Sequence, residues 1–123
     1  RPALAPPNWV FGPVWTTLFA LMGVATWLVW RRAGEASSAG RAARFALGVF
    51  AAHMVVNVAW SGVFFGLQSL YWGLVVIAVL WLFNVGTIAA YWRVDRRAAL
   101  LLVPYLAWVS FAAYLNYAFW TLN

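Results

Sequence analysis

The amino-acid sequence predicts an all-α fold, a transmembrane helical bundle with four spans in this chain. Two observations carry the prediction. Of its 123 residues, 67% are hydrophobic and only 8% are charged, whereas a soluble domain usually carries about 25% charged residues. Four stretches of 22 or 23 residues contain no Asp, Glu, Lys or Arg. Disorder requires the opposite composition, so the expected class is an integral, multi-pass membrane protein.

Each of these stretches is long enough to cross a bilayer as a helix. A helix of 22 residues rises about 33 Å, against a hydrocarbon core of about 30 Å. Membrane strands would show alternation of polar and apolar residues, and a lipid-exposed segment satisfies its own backbone only as a helix. We predict one transmembrane domain over residues 1–123, with both ends on the same side of the membrane. Its spans are residues 9–30, 45–66, 71–92 and 98–120.

The first helix is expected to begin near Asn8 or Trp9. Three prolines within residues 2–7 prevent a regular helix there and favour a stiff extended segment. Such a segment would suit a lid over the bundle, formed by Pro6, Pro7 and Trp9, or an ordinary connector.

The second and third spans form an antiparallel hairpin, because only the turn 67–70 separates them. The second span also carries two pairs of small residues at helical spacing, Gly62 with Gly66 and Gly48 with Ala52. Such pairs allow close helix approach, within one protomer or between two.

The arginines predict how the bundle is oriented in the membrane. Loop 31–44 carries four Arg and one Glu, and loop 93–97 carries three Arg and one Asp. We call the side of these loops the basic side, and the side of Arg1, the turn 67–70 and the C-terminus the opposite side. By the positive-inside rule the basic side is cytoplasmic if the membrane is a bacterial inner membrane. The net charge of +6 then indicates topology and headgroup contact, in preference to a dedicated anionic ligand or to nucleic acid.

Nine of the ten tryptophans fall into two groups. Those at span ends are expected to form an interfacial belt, namely Trp9, Trp30, Trp72, Trp92 and Trp120. Four others lie within spans, about 9 to 18 Å from the opposite side at 1.5 Å per residue: Trp15, Trp60, Trp81 and Trp108. Depth alone leaves three alternatives open for these residues: they pack between helices, they are exposed to lipid, or they form the wall of an aromatic pocket.

A few polar residues also lie at membrane depth. Polar groups there face the bundle interior or a cavity. For Asn84 and Asn116, a hydrogen bond between helices and a place in a ligand cavity are equal alternatives. His53 is interpreted as an interior hydrogen-bonding residue, because the sequence has no Cys or second His to build a metal site. The two carboxylates, Glu35 and Asp95, lie in basic-side loops, so no catalytic or metal residue is predicted. The remaining chemistry suits a large, flat, apolar ligand.

Four sequence blocks carry a resemblance to a known family. They are APPNWVFGPVW at 5–15, NVAWSGVFFG at 57–66, WLF at 81–83 and VPYLAWVSFAAYLNY at 103–117. In this order and spacing the chain resembles the TspO/MBR or translocator protein family, also called tryptophan-rich sensory proteins or peripheral-type benzodiazepine receptors. The resemblance covers essentially the whole chain. It implies a five-helix, commonly dimeric fold, of which this chain would supply helices two to five, without the first.

The resemblance also implies a ligand pocket that opens toward the opposite side. Its ligands would be tetrapyrroles such as protoporphyrin IX and isoquinoline- or benzodiazepine-type drugs, with no obligatory cofactor. By motif, the lining residues would be Trp15, Asn57, Trp60, Trp108 and Ala112, with Phe11, Phe19 and Leu115 nearby.

Three positions depart from the family pattern. The family's sterol motif needs a basic residue after a Tyr, but Tyr117 is followed by AFWTLN, which places a sterol partner in doubt. Leu4 stands where the family often has Trp, and His53 where it often has Gln.

The function expected from these features is that of a membrane receptor or translocator that binds tetrapyrroles, with a role in stress signalling or transport. Two alternatives stay open. One is an enzyme that breaks down porphyrin in light, with the interior tryptophans as redox-active groups. The other is a passive transporter of porphyrin or sterol. An enzyme is disfavoured because acid–base machinery is missing, and a driven transporter because the spans hold no carboxylate.

Overall fold

Helices account for most of the chain. The computed structural model describes residues 8–62 and 70–122. A 3₁₀ turn at Asn8–Val10 leads into four α-helices: α1 (Phe11–Trp30), α2 (Ser38–Ser61), α3 (Leu70–Trp92) and α4 (Arg96–Leu122). Each contains a stretch long and apolar enough to cross a membrane, and the two described ranges contain no strand. The predicted all-α transmembrane bundle is confirmed.

Two helices begin earlier than the sequence predicted. α2 begins at Ser38 rather than at residue 45, and α4 begins at Arg96 rather than at residue 98. The basic-side connections therefore shorten to residues 31–37 and 93–95. The prediction ended each span at the first charge, but arginine side chains in a first helical turn extend along the helix and keep their charged heads in water.

The start of α1 agrees with the prediction. Pro13 lies in the first turn, where the backbone N–H that proline lacks has no partner within the helix. The hydroxyls of Thr16 and Thr17 donate to the carbonyl oxygens of Gly12 and Pro13, at 2.9 and 2.8 Å. Both hydroxyls are thereby satisfied without a partner outside α1, as a lipid environment requires.

The helices are arranged so that α3 packs between α2 and α4, while α1 packs mainly on α4. The core is tightest toward the basic side, where small residues are completely or almost completely buried. They are Ala25, Ala43, Ala46, Ala98 and Ala99. Small side chains let helix backbones approach closely in a membrane, so the bundle is narrow at the basic side.

The glycine pairs of α2 do not add to this packing. A Cβ placed on Gly48 or Gly62 would meet no atom within 4 Å, so close approach within one protomer is not seen at either position. The alternative of a contact between two protomers stays a prediction. Gly66 and residues 67–69 of the predicted turn lie outside the described residues, and so do Leu4, Pro6 and Pro7.

Polar contacts fix the basic-side ends of the helices. The hydroxyls of Thr26 and Tyr91 are 2.9 Å apart and join α1 to α3. Arg32 donates from Nη1 to the carbonyl of Val94 at 3.1 Å, which ties together the two connections of that side. Gly40 lies so close to the carbonyl of Glu35 that a Cβ would collide with it. The connection 31–37 therefore folds back onto the start of α2.

Asp95 caps the first turn of α4. Its Oδ1 accepts the backbone N–H of Arg97 at 2.9 Å, and both carboxylate oxygens accept from the Arg97 guanidinium at 3.1 and 2.8 Å. The side chain is 11% exposed. These contacts with Arg97, and the nearby charge of Arg31, lower the pKa of Asp95 from 3.8 to about 2.

Acid should therefore weaken the basic-side end of α4 through Asp95. A carboxylate whose pKa is lowered on folding stabilises the fold above its unfolded pKa, and the stabilisation is lost as pH falls through its folded pKa. For Asp95 that window runs from near 3.8 down to about 2. We expect the protection factors of the backbone amides at residues 96–99, taken relative to the unfolded chain at the same pH, to fall across this window, and to fall less in Asp95→Asn, where asparagine still caps the helix. Equal acid dependence in both proteins would contradict the assignment.

Candidate ligand pocket

An aromatic cluster joins α1 to α4. Trp15 stacks on Phe19 with ring centroids 5.4 Å apart and meets Trp108 edge-on at 6.3 Å and 82°. Tyr105 lies 6.4 Å from Trp15, and Phe111 extends the cluster 5.8 Å beyond Trp108. These separations and tilts are those that aromatic pairs prefer. The structure thus brings together two of the tryptophans that the sequence placed at membrane depth, Trp15 and Trp108.

Asn57 joins the cluster from α2. Its Nδ2 donates to the hydroxyl of Tyr105 at 2.6 Å, so a residue from each of three helices meets at one point. Tyr105 is only 1% exposed, and its ring also lies 5.5 Å from that of His53. Tyr105 is not among the site residues predicted from the sequence. The available signal was its position three residues before Trp108, on the same face of α4.

The other predicted site residues are less closely involved. Trp60 and Ala112 are partly buried and pack against the core, and Leu115 is half-buried. Trp9 is 76% exposed, and its part in a lid stays a prediction. The side chain of Phe11 lies outside the described part of the structure, as do the lid residues Pro6 and Pro7.

Trp81 has a different environment. It is exposed on the bundle surface, and its Nε1 donates to the hydroxyl of Ser110 on α4 at 2.9 Å. Of the alternatives left open by its depth, the hydrogen bond from α3 to α4 favours helix packing. The five tryptophans at span ends are all exposed, as an interfacial belt requires.

Two buried polar side chains, His53 and Asn84, lie in the interior without a hydrogen-bond partner among the described residues. Among the described residues, neither ring nitrogen of His53 and neither amide atom of Asn84 has a hydrogen-bond partner, and both side chains are fully buried. Interior placement is as predicted for His53, but the hydrogen bond expected of it is not found. The same holds for the interhelical bond considered for Asn84. His53 instead packs edge-on against Phe50, with centroids 5.8 Å apart.

The chemistry available at the cluster is that of binding by shape, stacking and a few polar contacts. The described residues contain no group of three or more His, Cys, Asp or Glu that could hold a metal ion. Glu35 and Asp95 lie at the basic side, where they pair with arginines. The side chains at the cluster are therefore aromatic rings, an amide, a phenol and an imidazole.

The fold and the cluster together define a class: a multi-pass helical membrane protein with an aromatic and amide-containing interior. The chain belongs to the TspO/MBR family, whose model matches residues 1–121. It is 44% identical to the tryptophan-rich protein TspO of Chlorobaculum tepidum, over all of this chain and 75% of that protein. It is 38% identical to the human translocator protein, covering 71% of it. It is 36% identical to protein CrtK of Rhodobacter capsulatus, covering 74%.

The hydrogen bond between Asn57 and Tyr105 should contribute measurably to stability. Interhelical hydrogen bonds in membrane proteins contribute about 0.6 kcal/mol on average, with a maximum near 1.7. We expect a double-mutant cycle of Asn57→Ala and Tyr105→Phe to give a coupling free energy of about 1 kcal/mol. Unfolding in mixed micelles measures it. Tyr114→Phe, at an exposed position on the same helix, is the matched control and should show no coupling to Asn57→Ala.

Proposed function

We propose that this protein binds tetrapyrroles and other flat aromatic molecules between its helices, at the cluster around Trp15 and Trp108. The observation that carries the proposal is the edge-on contact of these two indoles at 6.3 Å, with Tyr105 and Asn57 beside them. Large aromatic side chains beside a few convergent polar groups are typical of sites for apolar ligands.

The recognition follows from the side chains. Indole faces favour other flat π-systems through stacking and the burial of large apolar areas. The amide of Asn57 and the hydroxyl of Tyr105 are already paired with each other, so a ligand with polar edges would share or replace that hydrogen bond. His53, packed against Tyr105 at 5.5 Å, has ring nitrogens that could act as a further donor and acceptor.

Entry is expected from the opposite side. Trp15 lies near the start of α1, and Trp108 lies close to the middle of α4. The basic-side half is closed by buried alanines and by the polar contacts of Arg32 and Tyr91. A flat ligand would then reach the cluster by separating the rings of Trp15 and Trp108, which meet in a single edge-on contact.

The biological role that accompanies binding is proposed as stress signalling or transport. The relatives of this chain include a translocator protein and a tryptophan-rich sensory protein. The contact between Trp15 and Trp108 also suits the alternative of light-driven porphyrin breakdown, since adjacent indoles are oxidisable groups beside the bound ring. Under illumination, bleaching of bound porphyrin equal to that of a protein-free control would remove this alternative.

Binding can be tested by the quenching of tryptophan fluorescence on titration with protoporphyrin IX. We expect Trp15→Ala combined with Trp108→Ala to weaken binding by about tenfold or more, since each aromatic contact contributes about 0.5–1.5 kcal/mol beyond area burial. The matched control is Trp30→Ala, which removes an exposed indole at the basic-side end of α1 and should leave affinity unchanged. Unchanged affinity in the double variant, with thermal unfolding showing it folded, would place the site elsewhere.

A further inference from the structure

A second site candidate lies at the other end of the molecule. A cavity of about 370 Å³ on the basic side is lined by Arg31, Arg32, Glu35, Asp95 and Arg97. It forms where the end of α1, the connection 31–37 and the start of α4 meet. The aromatic cluster contributes no residue to it.

The guanidinium groups of the three arginines of this cavity differ in the hydrogen bonds that they form. Arg32 donates to both carboxylate oxygens of Glu35, at 3.1 and 3.4 Å, and to the carbonyl of Val94. Arg97 forms a two-pronged contact with Asp95. Arg31 comes no closer to Asp95 than 3.8 Å, which is too long for a hydrogen bond, and its side chain is 43% exposed. The donors of Arg31 therefore face the cavity with only a distant carboxylate to balance their charge.

The position of Arg31 is set by an indole. Its guanidinium lies over the ring of Trp27 at 5.1 Å, one turn earlier on α1. A second such pair lies at the neighbouring connection, where Arg96 covers Trp92 at 5.2 Å. Both indoles are exposed on the bundle surface. Exposed tryptophans at span ends mark the headgroup level of a bilayer, so the guanidinium of Arg31 is held at the depth of lipid phosphates.

We propose that the basic-side cavity binds a phosphate group, held by Arg31 and Arg97. The guanidinium fork matches two phosphate oxygens in one plane and binds them with charge-assisted hydrogen bonds. Three arginines face two carboxylates in the cavity, so the lining carries an excess positive charge that an anion would neutralise. The phosphate belongs to an anionic lipid headgroup or to a free phosphate in solution, and both sources present the same oxygens.

The carboxylate of Asp95 competes with a phosphate for the guanidinium groups of this site. Its carboxylate occupies the fork of Arg97 and is the anion nearest to Arg31, so an incoming phosphate must share these donors with it. Asp95→Asn removes the competing charge and keeps an N-cap residue at the start of α4. A site for phosphate predicts tighter anion binding in this variant, whereas a purely structural ion pair predicts only lower stability.

The test uses the full chain in nanodiscs of phosphatidylcholine with increasing phosphatidic acid, and lipid retention is measured by native mass spectrometry. Calorimetry with inorganic phosphate, in phosphatidylcholine alone, tests the free anion. We expect Arg31→Gln to weaken phosphatidic acid binding by about tenfold and Asp95→Asn to strengthen it severalfold. Arg41→Gln is the matched control, since it removes an exposed arginine on the same side that does not line the cavity.

The outcomes separate the sources and can overturn the proposal. Arg31-dependent binding of phosphatidic acid alone identifies a lipid headgroup as the ligand, and Arg31-dependent binding of inorganic phosphate identifies the free anion. Equal weakening by Arg31→Gln and Arg41→Gln would show only long-range attraction to a charged surface, and would overturn the site. Failure of Asp95→Asn to strengthen binding, with the variant shown to be folded by its thermal unfolding, would overturn it as well.

Discussion

The interior of this bundle depends on the contact between Asn57 and Tyr105. In hydrocarbon an amide and a phenol without partners are costly. Their hydrogen bond at 2.6 Å satisfies one donor of the Asn57 amide and the acceptor oxygen of the Tyr105 phenol, and it joins α2 to α4. The ring of Tyr105 also packs at a tilt against the rings of Trp15 and His53. An aromatic surface shared by α1 and α4 is thereby tied to the amide of a third helix.

The two ends of the bundle serve different physical tasks. Toward the basic side, fully buried alanines bring the backbones together, and Arg32 and Asp95 fasten the connections in a network of short polar contacts. Toward the opposite side, the helices are separated by large rings whose pairwise contacts are weak individually. The basic-side end is held by charged contacts, whereas the aromatic end is held by contacts that can separate. This difference agrees with the proposal that a flat ligand enters from the opposite side only.

Much of this arrangement was predictable from sequence. The absence of charge over four long stretches predicted the helices, and the family resemblance predicted that Trp15 and Trp108 lie in one pocket. The starts of α2 and α4 were missed, because a rule that ends a span at the first charge ignores how far an arginine side chain extends. Trp81 shows the remaining difficulty, because the direction in which a side chain points around its helix is decided by packing.

The polar interior shows the same limit. The spacing of His53 and Asn57 placed both on one face of α2, but the sequence could not distinguish the one that finds Tyr105 from the one that packs on Phe50. The basic-side cavity was also beyond sequence reasoning, because the arginines that line it come from the connection 31–37 and from the start of α4, which are far apart in the chain. Their number predicted topology, and only the fold brings Arg31 and Arg97 to one carboxylate.

The most direct test of the central claim is a structure of the full chain with protoporphyrin IX bound in a lipid bilayer. The predicted result is a porphyrin between α1 and α4, in contact with Trp15 and Trp108 and with a polar edge near Asn57 and Tyr105. A porphyrin on the lipid-facing surface, with the edge-on contact of the two indoles unchanged at 6.3 Å, would contradict it.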